Sequence, residues 1–95
     1  MRYRPIGRTS ISVSEIGFGC WTMGGPNWSS ESGASIGWAD VNQDDIRAGI
    51  KAGLDAGVNH WDNADIYGNG RAERSLAEMF RTLGVNRDLQ VIATK

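Results

Sequence analysis

Hydrophobic and polar positions along the chain change period several times. Ile11 and Val13 alternate with Ser12 and Ser14, and residues 2–4 and 11–13 flank the turn-forming cluster Gly7-Arg8-Thr9-Ser10. This spacing predicts a small hairpin. Glu15-Ile16-Gly17-Phe18-Gly19 follows as a short, glycine-rich apolar strand. The period then becomes helical: Ile46, Ile50 and Leu54 fall at i, i+4 and i+8. Asn42 is a good N-cap for that helix, with Asp45 three residues on, and Gly57 suits the C′ position. Residues 58–61 read as a short buried strand. Leu76, Met79, Phe80 and Leu83 form a second helical stripe, capped by Asn69 or Gly70, with Glu73 in its first turn and Gly84 as its stop. Leu89–Thr94 reads as a third strand, and Lys95 follows it.

The predicted order is hairpin, strand, helix, strand, helix, strand. Strands alternating with helices imply an α/β fold with a parallel sheet. Such sheets are normally covered on both faces, which two helices cannot do. No internal repeat or linker interrupts the chain, so residues 1–95 read as the front part of one larger domain. Between the first strand and the first helix, Cys20 to about Asp40 is irregular and carries Trp21, Trp28 and Trp38 among glycines and serines. Tryptophan is uncommon in disordered linkers, so this stretch is expected to be an ordered binding loop. Its tryptophans either line a substrate pocket or form a local cluster.

Composition adds mainly exclusions. The 95 residues are 40% hydrophobic and 22% charged, with a net charge of -1, an ordinary globular balance. No basic excess points to nucleic acid or an anionic membrane surface. No apolar run approaches the ~18–20 residues needed to span a bilayer. The start of the chain lacks the apolar core of a secretory signal. The single cysteine, Cys20, rules out a disulfide within the chain, and a cytoplasmic setting is expected. One histidine and one cysteine make no metal site. His60 reads as a structural histidine and Cys20 as a small buried filler or, alternatively, a redox-sensitive thiol. Gly68-Asn69-Gly70 lacks the spacing of a dinucleotide fingerprint and reads as a turn and helix cap.

Two groups with chemistry, Asp62 and Tyr67, lie just past the strand 58–61. An acid and a phenol held at a rigid strand end suit proton transfer. Taken singly, Asp62 could be a turn residue, Tyr67 a packed aromatic and Lys95 a solvated charge.

Taken together, these segments resemble the N-terminal part of an aldo-keto reductase. Ile6-Gly7-Arg8-Thr9 with Val13-Ser14-Glu15-Ile16-Gly17-Phe18-Gly19 resembles the family's opening hairpin and first barrel strand. Gly53-Leu54-Asp55-Ala56-Gly57-Val58-Asn59 resembles the end of its first helix. Asp62-Asn63-Ala64-Asp65-Ile66-Tyr67-Gly68 resembles its signature, with Asp and Tyr five apart, and Val91-Ile92-Ala93-Thr94-Lys95 resembles a third strand ending in lysine. The resemblance implies the N-terminal portion of a TIM (β/α)₈ barrel, about the first third of a domain of ~250 residues. It also implies an NADP(H)-dependent oxidoreductase that reduces aldehydes or ketones, small carbonyl substrates, by hydride transfer.

By that resemblance Tyr67 is the proton donor, Lys95 the ammonium beside it and Asp62 the partner of Lys95. An ammonium beside a phenol favours release of its proton. Gly19, Cys20, Trp21 and Asp62 correspond to positions beside the cofactor. Asn63 stands where the family usually has threonine or serine, Trp61 replaces a commoner phenylalanine, and Thr9-Ser10 lacks a frequent turn glycine. The family's catalytic histidine and main phosphate-binding residues have no counterpart in these 95 residues. Two alternatives follow: a non-enzymatic, cofactor-binding regulatory subunit like the potassium-channel β-subunits, or an incomplete and inactive piece. An isolated piece is expected to associate through its open sheet edges.

Overall fold

The computed structural model describes Met1–Lys95 throughout. β1 (Tyr3–Pro5) and β2 (Ser12–Ser14) form the expected antiparallel hairpin, with Tyr3 opposite Ser14 and Pro5 opposite Ser12. β3 (Phe18–Gly19), β4 (His60–Asp62) and β5 (Val91–Ala93) form a separate sheet in the order β3-β4-β5. All its pairings are parallel, with Gly19 beside Asp62 and Asp62 beside Ala93. The parallel crossovers are made by α1 (Gln43–Asp55) and α2 (Arg71–Thr82).

The helix ends follow from their sequences. The Asn42 side chain accepts from the amides of Asp44 (2.7 Å) and Asp45 (3.3 Å), satisfying two of the free donors at the start of α1. Asp44 and Asp45 also lie at the positive end of the helix dipole. Gly57, with φ +92°, ends α1 in the left-handed conformation that a side chain would resist.

The strands are shorter than the sequence suggests, and local hydrogen bonds explain why. The Val58 amide returns to the Gly53 carbonyl (2.9 Å), so Val58 and Asn59 belong to the turn that leaves α1. At the other end, the Asn86 side chain accepts from the Asp88 amide and Arg87 donates to the Gln90 carbonyl. Those bonds hold Arg87–Leu89 in a 3₁₀ turn and leave Leu89 exposed. Of Glu15–Gly19, only Phe18–Gly19 pairs as a strand, because the Glu15 amide continues the hairpin by bonding Arg2.

Side chains alternate across a strand. Trp61 therefore faces the helices, where it is completely buried, while His60 and Asp62 occupy the opposite face. Trp61 sits between Phe18 and Phe80, each ring centre 5.1 Å away, and its indole nitrogen donates to Gln90 Oε1 at 2.8 Å. Ile46 and Ile50 from α1, and Ala72, Leu76, Met79 and Phe80 from α2, complete this core with Leu54 and Leu83 at its margin. The hairpin docks at the start of β4. Asn59 accepts from the Ser14 amide (2.7 Å) and donates to the Ser12 carbonyl (3.0 Å), and the Tyr3 hydroxyl donates to the Gly57 carbonyl (2.6 Å). The opposite, carboxyl ends of the strands stay clear of it. No helix is long and apolar enough to cross a membrane.

Candidate functional site

The carboxyl ends of β3, β4 and β5 are tied beyond their paired residues. The Cys20 amide donates to the Asp62 carbonyl (2.9 Å), Asn63 to Ala93 (2.8 Å) and Asp65 to Lys95 (3.0 Å). This backbone frame brings together three of the residues singled out in the sequence. Lys95 Nζ donates to Asp62 Oδ1 at 2.7 Å and to the Asn63 carbonyl at 3.0 Å, and it lies 5.2 Å from the centre of the Tyr67 ring. Asp62 is the last residue of β4, and Tyr67 opens the turn Tyr67–Gly70, inside which Gly68 and Asn69 are left-handed. The hydrogen bond that Lys95 donates to Asp62 holds its ammonium above its ordinary pKa; desolvation opposes this, and the Tyr67 phenol adds to it. Lys95 is a charged donor at neutral pH.

The cofactor-facing candidates divide. Gly19 lies beside Asp62 in register, and a Cβ there would meet nothing within 4 Å, so the two residues border an open ledge. Trp21 follows at the same end, partly exposed and edge-on to Trp38 with ring centres 4.8 Å apart. Cys20 has no exposed surface and belongs to the core between sheet and helices. Burial first, and the Asp62 charge second, pushes its thiol up to about 12. Cys20 thus offers the ledge backbone alone. His60 is half-buried beside Gly17, and no three of the chain's His, Cys, Asp and Glu side chains converge as metal ligands.

The tryptophan-bearing loop is ordered. The amides of Ser29, Ile36 and Trp38 donate to the carbonyls of Ala34, Asn27 and Gly25, folding it into a small hairpin closed by the Trp28–Ser35 bridge. Trp21 and Trp38 form the local cluster, while Trp28 remains exposed on a cleft with Ile36, Ile66 and Asn69.

Several contacts escaped the sequence reading. Gly24 and Gly68 touch backbone to backbone: a Cβ on Gly24 would lie 2.6 Å from the Gly68 nitrogen. Arg71 Nε donates to the Gly24 carbonyl at 2.8 Å, and its Nη2 donates to the Pro26 carbonyl. Asn27 Nδ2 donates to the Ile66 carbonyl at 3.1 Å. One signal was available: Arg71 is a cation in the first turn of a helix, where the dipole disfavours it. Asn63, read as a mild departure, is 1% exposed; its Oδ1 accepts from the Ala64 amide, and its Nδ2 has no partner.

Known proteins resemble this chain in sequence and in fold. The profile of the Aldo/keto reductase family matches residues 15–95. A protein of Oryza sativa subsp. japonica named "Probable voltage-gated potassium channel subunit beta" is 36% identical over 95 residues, all of this chain and 25% of that protein. The holo form of aldo-keto reductase AKR11C1 from Bacillus halodurans superposes with a TM-score of 0.73 at 24% identity, over 99% of this chain and 25% of that one. An aldo-keto reductase from Klebsiella pneumoniae, solved in complex with NADPH, superposes with a TM-score of 0.59 at 28% identity, over 87% of this chain and 24% of that one. The chain thus spans about a quarter of the length of the relatives it matches. Its strand–helix order and parallel sheet are those of a partial barrel, and the chain belongs to the aldo/keto reductase family.

Proposed function

We propose that this chain contributes the opening strands and part of the reaction centre of an NADP(H)-dependent reductase of aldehydes and ketones. The observation that carries the reading is the position of Lys95 Nζ, 2.7 Å from Asp62 Oδ1 and 5.2 Å from the centre of the Tyr67 ring. A Cβ placed at Gly19 would meet nothing within 4 Å, and the Asp62 carboxylate beside it would accept from a ribose hydroxyl of a nicotinamide nucleotide. Gly19, Trp21 and Asp62 would hold that group, with Cys20 contributing backbone. The Klebsiella pneumoniae relative named with NADPH supports this choice of cofactor.

When bound there, NADPH would supply the hydride for the carbonyl carbon. Tyr67 donates its phenolic proton to the carbonyl oxygen as negative charge develops there. The Lys95 ammonium stabilises the phenolate left behind, and Asp62 holds that ammonium in place. The proposed partners are small carbonyl compounds, with neither nucleic acid nor membrane, and the proposed setting is the cytoplasm. Residues 1–95 form the N-terminal part of one barrel domain in this reading.

The test is NADPH oxidation with a panel of aldehydes, using a polypeptide that joins this segment to the rest of a barrel. Tyr67→Phe should reduce turnover by roughly 10²–10⁴, the usual contribution of a positioned acid, while NADPH affinity changes little. Turnover equal to that of the parent would overturn the assignment of Tyr67.

The identity with the rice potassium-channel subunit favours a second reading, a cofactor-binding regulatory subunit without turnover. The same residues would then hold the nucleotide. NADPH binding without oxidation by any aldehyde in the panel would favour it.

A further inference from the structure

We infer that Arg71 is a positioning residue for Tyr67, acting through the backbones of Gly24 and Gly68; this rests on the reading of Tyr67 as the proton donor. Arg71 begins α2, four residues after Tyr67. Its guanidinium donates across 45 and 47 residues of sequence to the carbonyls of Pro26 and Gly24. A planar guanidinium can serve two carbonyls at once, which a lysine ammonium on a flexible stem does less well. These bonds draw the loop after β3 down onto the turn after β4. The two backbones meet where neither residue has a side chain: a Cβ on Gly24 would lie 2.7 Å from the Tyr67 carbonyl carbon, and one on Gly68 would lie 2.2 Å from the Gly24 oxygen.

Tyr67 is therefore held from two sides. Its own turn is pressed by Gly24, whose carbonyl Arg71 ties to the start of α2, while Asn27 donates to the carbonyl of the preceding residue, Ile66. On the other side stands Lys95. Asn69, inside the turn, has φ +54°, a left-handed conformation that asparagine accepts more readily than other side-chain-bearing residues. Arg71 itself bonds loop carbonyls and is assigned no contact with substrate. Its role is to fix the distance between the Tyr67 phenol and the Lys95 ammonium, on which the proposed proton transfer depends.

The experiment uses this chain and reads geometry rather than turnover, so its outcome is independent of whether the protein reduces carbonyls. The readouts are the nuclear Overhauser contact between the Tyr67 ring protons and the Lys95 ε-methylene, and the near-ultraviolet circular dichroism of the Trp21–Trp38 pair. Arg71→Met should abolish both signals while the methyl resonances of the Ile50 and Leu76 core stay dispersed. Arg71→Lys should restore them in part. An undiminished Tyr67–Lys95 contact in folded Arg71→Met would overturn the inference. If Arg71→Met does not fold, Gly24→Ala decides: it keeps Arg71 and forces the two backbones apart. Loss of the Tyr67–Lys95 contact in Gly24→Ala supports the inference, and its persistence overturns it.

Discussion

Lys95 Nζ donates to Asp62 Oδ1 at 2.7 Å, joining the chain just past β5 to the last residue of β4. The bond raises the Lys95 pKa above its ordinary value of 10.5. The folded chain thus holds this proton more tightly than the unfolded chain does. The contribution of the pair to stability is complete below 10.5 and is lost as pH rises through the higher folded value. Both side chains are more than half exposed, so the effect is small and screened by salt. In denaturant titrations across pH, Asp62→Asn should lower stability slightly at neutral pH and shrink the loss above 10.5. An unchanged alkaline limb would show that the ammonium gains nothing from Asp62.

Cys20 titrates in the same direction for a different reason. Burial, then the nearby Asp62 charge, moves its pKa from 9.0 to about 12. Its stabilising protonated state is intact below 9.0, and stability falls as pH climbs from there toward 12. Cys20→Ala should remove that part of the alkaline loss. At neutral pH the thiol should resist a disulfide reagent in the folded chain and react promptly once the chain is unfolded in denaturant. Equal rates in both states would contradict its burial.

Asn63 is expected to be a stability defect. Its Nδ2 is buried without a partner, and an unsatisfied buried donor costs about 1–3 kcal/mol. Asn63→Thr removes the amide donor and leaves a hydroxyl that can rotate to suit its surroundings. Denaturant unfolding should show a gain of about 1 kcal/mol, with the Lys95–Asp62 contact intact. A loss would mean that the amide has a role in packing which its bonds do not reveal.

Trp61 joins the sheet to both helices. Trp61→Phe keeps an aromatic ring between Phe18 and Phe80 and leaves Gln90 Oε1 without its indole donor. A loss of about 1–2 kcal/mol is expected from that bond. Trp61→Ala should lose about 3–5 kcal/mol, as large aromatic truncations do. In a domain of ordinary marginal stability that is enough to unfold much of the population. Far-ultraviolet circular dichroism with urea titration measures both variants.

These elements differ in how far the sequence announced them. The helices were legible because Ile46, Ile50 and Leu76, Phe80 repeat at helical spacing beside an Asn42 cap and the stops at Gly57 and Gly84. Strand limits were less legible, since Val58 and Leu89 look like strand residues and their fate is decided by turns at Gly53 and Asn86. The convergence of Asp62, Tyr67 and Lys95 followed from parallel strand order, which places successive strand ends side by side. The clasp of Arg71, Gly24 and Gly68 did not, because it joins two loops more than 40 residues apart in sequence and depends on their tertiary approach. The same holds for Asn63, whose alternation onto the buried side becomes clear only once β4 is known to end at Asp62.

The last prediction concerns residues 1–95 in isolation: they should not reduce carbonyls at a measurable rate. β3 and β5 each leave one edge of hydrogen-bonding groups unpaired, and such edges recruit other strands. Both helices pack on the Trp61 face, so the face bearing His60 and Asp62 has no covering layer. Water therefore reaches the Asp62–Lys95 pair, whose side chains are 54% and 58% exposed. Two unit charges at 4 Å interact by about 1 kcal/mol in water against about 4 kcal/mol near a protein surface, so the field that would assist Tyr67 is weakened. The expected results are concentration-dependent sedimentation, weak NADPH binding by fluorescence titration, and no aldehyde-dependent loss of NADPH absorbance. Tight NADPH binding by a folded monomer, with turnover abolished by Tyr67→Phe, would overturn this expectation. The three strands would then suffice to hold the nucleotide and to position the phenol.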